Sequence, residues 1–348
     1  MNSRQSQSAG DNSTQVQAAG DVILGVTEPR AREIAEQAAR GVLAEYADES
    51  TRVIQERITK LDDRIIASLI REGRLEVFAD PGFLRSYKRA QEGAAVSEHD
   101  SDYDLLSGLL VDRAARGTIR TVRTGIEKAI EIVDSVDDEA LRGLTVFQAL
   151  QQYSPLAQTL DAGLDAMDAL MGDLVDGPLP EGIEWLDHLD VLDAIRLSQV
   201  SSLKPFREYY PNRMPGYLAR GVLAEGFDWP FTHGGKEYID PRLMVQHELK
   251  PDYLRFAVAQ AQTLDAMGIP SDVADGLASQ AKRFGFGNVD KSLVEPFLER
   301  LRLRPNLAQI EQWWGQIPHA VQVTAVGRVL ARANALRLDK RGVLPPID

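Results

Sequence analysis

Residues 52–70 read RVIQERITKLDDRIIASLI, and this stretch decides the fold class. Its apolar residues recur at steps of four, three, four and four, in the order Ile54, Ile58, Leu61, Ile65 and Leu69. That spacing is typical of one face of an amphipathic α-helix. Upstream, Glu28 and Pro29 favour a helix start, because proline fits the first turn and an acid complements the dipole. We predict one helix from about residue 30 to 72, or two broken near Asp48, that packs against partners or forms a hairpin.

Helical periodicity continues through most of the chain. Four further helices are predicted between Asp80 and Tyr153, and another ends near residue 174. The loop VDGPLPEG at 175–182 marks a domain boundary. The predicted fold class is mostly α, and the predicted divisions are a β-prone N-terminal segment (1–27), a helical domain with a long helix (28–176) and a mainly α C-terminal domain (177–348).

The C-terminal part contains helices and small β elements. A helix is predicted over 183–200, and a β-hairpin with a tight turn at Gly234-Gly235 is predicted near 227–239. Four helices are predicted between residues 251 and 317, one of them capped by Ser292 with Glu295. A short strand, AVQVTA, then precedes the last helix, VGRVLARANALR.

Composition narrows the class of protein. The chain has 348 residues, a net charge of −13 and no cysteine, so disulfides and thiolate metal sites are excluded. The acidic balance makes nucleic acid an unexpected partner, because binding to phosphates needs an excess of lysine and arginine. The N-terminus has no apolar signal region, and no apolar run is long enough to span a membrane. We expect a cytoplasmic protein.

The N-terminal segment carries a short internal repeat. Ala9-Gly10-Asp11 recurs as Ala19-Gly20-Asp21, and strand-prone residues lie between and after the two turns. An arch of this kind becomes stable when copies stack, since amides form ladders and β-branched residues interdigitate. The predicted self-association residues are Asn12, Gln15, Val16, Gln17, Gly20, Val22 and Ile23. A solvated tail is the alternative.

This motif resembles one found in a family of largely uncharacterised bacterial proteins. Members open with a Gly-Asp-Asn-Ser-x-x-x-Gln-type motif, which a helical body follows. In this chain the motif is matched by Gly10-Asp11-Asn12-Ser13, Gln17 and Gly20-Asp21-Val22. The helical body is matched by Asp80-Pro81-Gly82-Phe83 and Ala90-Gln91. A looser similarity links Val16-Gln17-Ala18-Ala19-Gly20 to amyloid-like homotypic motifs of immune signalling, from which it departs by an extra residue before the glycine and by alanine for the second β-branched residue. These resemblances imply homotypic assembly, as a fibre, a small ring or a dimer.

Candidate chemistry is sparse. The five histidines, which lack metal-site spacing, are His99, His188, His233, His247 and His319. The acids Asp100, Asp102 and Asp104 fail the calcium-loop pattern and fit a helix start, and Gly234-Gly235-Lys236 lacks the hydroxyl of a phosphate loop. We therefore predict no catalytic residue, no metal and no cofactor.

Basic side chains crowd two stretches of the chain: Arg113, Arg116, Arg120 and Arg123, and then Arg328, Arg332, Arg337, Lys340 and Arg341. Such side chains bind phosphate, an acidic partner or acids of the same chain. Ion pairing with acids of the same chain is the simplest interpretation. Trp313-Trp314 is expected to anchor the C-terminal core, with an interface as the alternative.

The sequence favours a non-enzymatic, self-associating adaptor or effector, assembled through the N-terminal motif and the long helix. The family resemblance suggests bacterial, anti-phage defence. We expect a homo-oligomer with a possible protein partner. Two alternatives stay open. One is a nucleic-acid-binding regulator with a winged module around Gly234-Gly235. The other is a hydrolase whose carboxylates assemble only in three dimensions, such as Asp173 with Asp176, or Asp100 with Asp102 and Asp104.

Overall fold

The computed structural model defines most of the chain. The residues described are 26–44, 48–198, 200–225, 232–233, 236–237, 244–256 and 287–344, with the single residues 268, 273, 282 and 285. The described part is mostly helical, as predicted. None of its helices combines the length and the apolar character that crossing a membrane requires.

Twelve α-helices lie in the described residues. Six form the N-terminal half: α1 (Glu28–Leu43), α2 (Asp48–Arg71), α3 (Pro81–Val96), α4 (Asp100–Arg116), α5 (Arg120–Ile132) and α6 (Asp138–Gln152). Six follow: α7 (Leu160–Leu174), α8 (Glu184–Val191), α9 (Phe206–Tyr209), α10 (Val294–Arg302), α11 (Pro305–Trp314) and α12 (Ala325–Leu338).

The predicted long helix is two helices that pack against each other. The interruption lies between Leu43 and Asp48, at the break that the sequence suggested. The face of α1 formed by Ala31, Ala35, Ala39 and Val42 is buried, and small alanine side chains let α1 approach α2 and α3 closely. The apolar stripe of α2 is buried too. This pair of helices therefore buries its apolar faces within its own chain.

The C-terminal helix completes the N-terminal half. Helix α12 packs on α4, α5 and α6. Gly125 of α5 permits this approach, because a Cβ there would lie 3.3 Å from the carbonyl oxygen of Ala325. One hydrophobic core runs across residue 176, and the division of the chain at that point stays a prediction.

The described strands are short and antiparallel: β1 (Ile195–Ser198), β2 (Val222–Leu223), β3 (Thr232–His233), β4 (Lys236–Glu237), β5 (Met244–Gln246), β6 (Tyr253–Phe256) and β7 (Ala320–Val323). Strand β1 pairs with β7, β6 lies between β2 and β5, and β3 pairs with β4. The predicted small hairpin corresponds to β3 and β4, and the predicted strand near residue 320 is β7.

Two predicted helices give way to strands. The helix predicted over 183–200 ends at Val191, and Ile195 pairs with Val323 instead. The chain turns at Asp193, which has a left-handed φ of 59°. Likewise Tyr253–Phe256, predicted as the start of a helix, is the central strand of its sheet. In both cases pairing with a distant segment overrides the local helical pattern.

One predicted helix cap lies two residues from its true position. Asp290, not Ser292, caps the helical turn before α10, because its carboxylate accepts hydrogen bonds from the Ser292 backbone nitrogen at 3.0 Å and hydroxyl at 2.7 Å. A carboxylate is the stronger partner at the positive end of a helix.

The two adjacent tryptophans anchor the core, as predicted. Trp314 stacks on Phe147 of α6, with ring centroids 5.1 Å apart, and Trp313 packs against Trp185. Both indole nitrogens donate to backbone carbonyls, those of Pro180 and Lys204. Helix α11 is thereby joined to the helices of both halves of the chain.

Candidate functional site: an arginine-lined groove on the C-terminal helix

The predicted self-association residues, Asn12, Gln15, Val16, Gln17, Gly20, Val22 and Ile23, lie outside the described residues. The described chain starts at Val26, which packs against the core. The carbonyl of Thr27 then accepts the Ala31 backbone N–H at 2.9 Å. The N-terminal segment is therefore joined directly to a helix that has one buried face.

The fold brings the two basic stretches of the sequence together. Arg116 at the end of α4 and both Arg328 and Arg332 of α12 line one cavity of about 540 Å³. Other members of the two stretches have structural partners. Arg113 is buried between Asp80 and Glu127, and Arg341 pairs with Asp173 at 3.1 Å.

We call this cavity the arginine–glutamine chamber. It lies between the end of α4, the start of α5, the second half of α6, and the β7–α12 junction. Its walls are Arg116, Thr121, Val122, Gln148, Gln151, Gln152, Val323, Ala325, Arg328, Val329 and Arg332. Among the described residues that line it, none carries a carboxylate.

The beginning of α5 forms one wall of the chamber. No side chain caps this helix, and its first turn has no acid. Thr121 and Val122, whose backbone N–H groups belong to the uncapped first turn, line the chamber. Arg120 begins the helix at its positive end, where basic residues are disfavoured. The chamber thus combines three guanidinium groups with the positive end of a helix dipole.

The glutamines come from the end of α6, in the sequence QALQQ at 148–152. The Gln148 side-chain nitrogen donates to the Gln152 side-chain oxygen at 3.2 Å. Sequence reasoning did not assign a role to these residues. The sequence shows three glutamines within five residues at the end of a predicted helix. This pattern suggests a binding site only once the structure places arginines of a distant helix beside it.

A second cavity, the mixed-charge chamber, lies on the other side of Arg332 between α2, α4 and α12. It measures about 750 Å³. Its wall includes acids held by ion pairs: Asp63 with Arg32 at 3.2 Å, Asp104 with Arg64 at 2.6 Å, and Asp112 with Arg116. Arg64, one of the cations that line this chamber, therefore has a counterion in the same wall, and lining carboxylates distinguish this chamber from the first one.

Residues 25–342 match a protein-family model whose description reads only ":-like". The chain belongs to this family. No curated protein and no solved structure shows significant similarity to it. The matched span contains every residue of both chambers and leaves out residues 12–23, where the predicted self-association residues lie.

Most of the carboxylates considered for a hydrolase have a partner in the chain. Asp100 lies 3.4 Å from the Lys60 ammonium, and Arg64 pairs with both Asp100 and Asp104. Asp102 accepts a hydrogen bond from the Ser97 hydroxyl. Burial raises the pKa of Asp102. Asp173 pairs with Arg341 while Asp176 is exposed. Within the described residues, no group of three acids or histidines has the geometry to hold a metal.

Two histidines have clear structural roles. The His188 side chain accepts a hydrogen bond from the Asp137 backbone nitrogen at 3.1 Å. His247 is fully buried beside β5, where its Nε2 lies 2.8 Å from the Ala219 carbonyl and its Nδ1 accepts from Leu249. Burial lowers the pKa of His247, so the neutral ring is favoured.

A buried polar network links two helices of the N-terminal half, and none of its three residues lines either chamber. The Tyr87 hydroxyl and the Gln91 amide both donate to the carboxylate of Asp62. Burial nevertheless raises the pKa of Asp62 to about 6, which outweighs these two hydrogen bonds. Since the network joins α2 to α3, its role is structural.

Proposed function

We propose that the protein is a non-enzymatic adaptor or effector of the bacterial cytoplasm that self-associates through residues 1–27. We further propose that it acts in anti-phage defence signalling, with a second protein as the responding partner. The single observation that carries the proposal is the direct connection of a β-prone, amide-rich segment to a helix that is itself part of the core.

The connection is short. Val26 packs against the core, Thr27 is the N-cap, and α1 begins at Glu28. Four residues of α1 are at most 2% exposed. An arch formed by residues 9–23 would therefore be held within a few residues of a rigid body, which lowers the entropic cost of aligning several copies.

The outward face of α1 and α2 is suited to solvent. It carries exposed ion pairs of Arg30 with Glu33, Arg32 with Glu28 and Asp63, and Arg40 with Glu36. Because the apolar faces of both helices are buried inside the chain, we assign association to the N-terminal segment and give the helices the role of its support.

Four of the acids considered above are held in ion pairs, which favours the proposed non-catalytic role. Asp100, Asp104, Asp112 and Asp173 each have a basic partner in the chain, so they contribute to structure. A general acid or base instead needs a group poised to exchange a proton with a substrate.

The proposal is tested by light scattering after size exclusion. The intact chain is compared with a chain that begins at Gly25 and so keeps Val26 and Thr27, which stabilise α1. We expect an assembly for the intact chain and a monomer for the truncated chain, with equal circular dichroism per residue. Equal masses would contradict the proposal.

A further inference from the structure

We propose that the arginine–glutamine chamber binds a phosphorylated small molecule of about nucleotide size. This goes beyond self-association, since it concerns a ligand of the helical body. Four independent features of the chamber carry the proposal: its charge, the helix that starts at its wall, its volume and its remaining side chains.

The first feature is the charge. Arg116, Arg328 and Arg332 converge from two helices that are more than 200 residues apart in sequence. The chain as a whole has a net charge of −13, yet no carboxylate is among the described residues of the lining; the carboxylate that pairs with Arg116, that of Asp112, lines the mixed-charge chamber. Guanidinium groups bind phosphate oxygens in pairs of parallel hydrogen bonds, so such a cluster favours an anion with several oxygens.

The second feature is the uncapped start of α5. The first backbone N–H groups of a helix have no partner within the helix, and the dipole adds positive potential there. Phosphate groups bind such helix starts. Here Thr121 and Val122, two residues of this uncapped first turn, line the same cavity as the arginines.

The third and fourth features concern the rest of the ligand. A volume of about 540 Å³ exceeds what a phosphate ion fills and lies within the range of small-molecule sites. Gln148, Gln151 and Gln152 supply amides that both donate and accept, while Val122 and Val329 supply apolar surface. This combination suits a heterocycle or sugar with polar edges attached to the phosphate.

Calorimetric titration of the full chain tests the proposal, with pyrophosphate and ATP as the two probes. We expect both to bind and ATP to bind at least tenfold more tightly. We also expect the affinity to fall with rising salt, because phosphate contacts are electrostatic. Absence of binding for both probes at millimolar concentration would overturn the proposal, and equal affinities would overturn the assignment of a nucleotide-sized ligand.

Two variants locate the site. Arg328→Gln removes a cation whose only described hydrogen bond goes to the Val323 carbonyl, at 2.8 Å, so the fold should survive. Thr121→Glu places a carboxylate at the wall and also favours the start of α5, so loss of binding cannot be ascribed to unfolding. We expect at least a tenfold loss of ATP affinity for both.

The matched control is Arg40→Gln, which removes an exposed arginine of α1, a helix that contributes no residue to the lining of the chamber. It should bind ATP as the unmodified chain does. Unchanged affinity in Arg328→Gln and Thr121→Glu would overturn the proposal. The chain that begins at Gly25 should bind ATP normally, which separates this outcome from that of the self-association test.

Discussion

Arg116 and Asp112 form a two-point ion pair one helical turn apart on α4, and the pair stands between the two chambers. Asp112 is 3% exposed and lines the mixed-charge chamber, while Arg116 lines the arginine–glutamine chamber. The carboxylate therefore holds Arg116 in place and also competes with an anionic ligand for its guanidinium.

Replacement of Asp112 by asparagine should strengthen anion binding. The neutral amide releases Arg116 from its ion pair, and we expect the affinity for pyrophosphate to rise about three- to tenfold, equivalent to about 1 kcal/mol. Calorimetric titration checks this. The control is Asp63→Asn, which removes an acid of the mixed-charge chamber that pairs with Arg32. An equal rise in both variants would mean that net charge, and not Arg116, sets the affinity.

Gly327→Ala should destabilise the fold strongly. A Cβ at this position would lie 2.0 Å from the Ala194 carbonyl oxygen, so α12 must move away from the segment before β1. We expect a loss of about 2–4 kcal/mol in the free energy of unfolding, measured by urea denaturation. Gly41→Ala in α1 has open space around it and should raise stability by about 0.5–1 kcal/mol. Equal effects would contradict the close approach.

Asp62→Asn should change how stability depends on pH. The pKa of Asp62 is raised from 3.8 to about 6 by burial, so its protonated form is favoured in the folded state. The stability that this provides is present below about pH 4 and is lost as the pH rises through about 6. Asparagine keeps the acceptor for Tyr87 without the charge.

The expected result is a variant that is more stable than the unmodified chain by about 1–3 kcal/mol at pH 8 and similar to it at pH 4. Urea denaturation at both pH values provides the comparison. The exposed neighbour Asp63, changed to asparagine, serves as the control and should not reproduce the effect. A larger gain at pH 4 than at pH 8 would reverse the sign and refute the argument.

Asp168→Ala should loosen the contact of α7 with α11. The Asp168 carboxylate accepts hydrogen bonds from the Asn306 and Leu307 backbone nitrogens, at 2.9 and 3.0 Å, and so caps α11 from a neighbouring helix. We expect a loss of about 2 kcal/mol in the free energy of unfolding. Asp165→Ala, one turn away, removes only an exposed pair with Arg304 and should cost less than about 1 kcal/mol. The prediction fails if the two losses match.

The sequence identified elements whose apolar residues repeat locally. The stripe from Ile54 to Leu69 gave the helix α2, and AVQVTA gave β7, because local periodicity states which face is buried. Strand β1 escaped this reasoning, since its partner β7 lies more than 100 residues away and no local pattern reveals it. The capping of α11 by Asp168, a residue of another helix, could not be predicted for the same reason.

The arginine–glutamine chamber was predictable only in part. Both basic stretches stood out in the sequence, but internal pairing with acids was the simplest interpretation. That interpretation holds for Arg113, Arg116 and Arg341. Arg116 and Arg328 line the same cavity because α12 packs against α4, α5 and α6. The number and position of charges in the sequence do not predict this packing.

The most direct measurement is the mass in solution of the full chain with Val22→Asp and Ile23→Asp, by light scattering after size exclusion. Two charges in the arch oppose stacking of copies without shortening the chain. The control carries Gln55→Asp and Thr59→Asp on the exposed face of α2. The account predicts an assembly for the unmodified chain and the control, and a 38.4 kDa monomer for the arch variant. A monomeric unmodified chain, or an arch variant with unchanged mass, would contradict it.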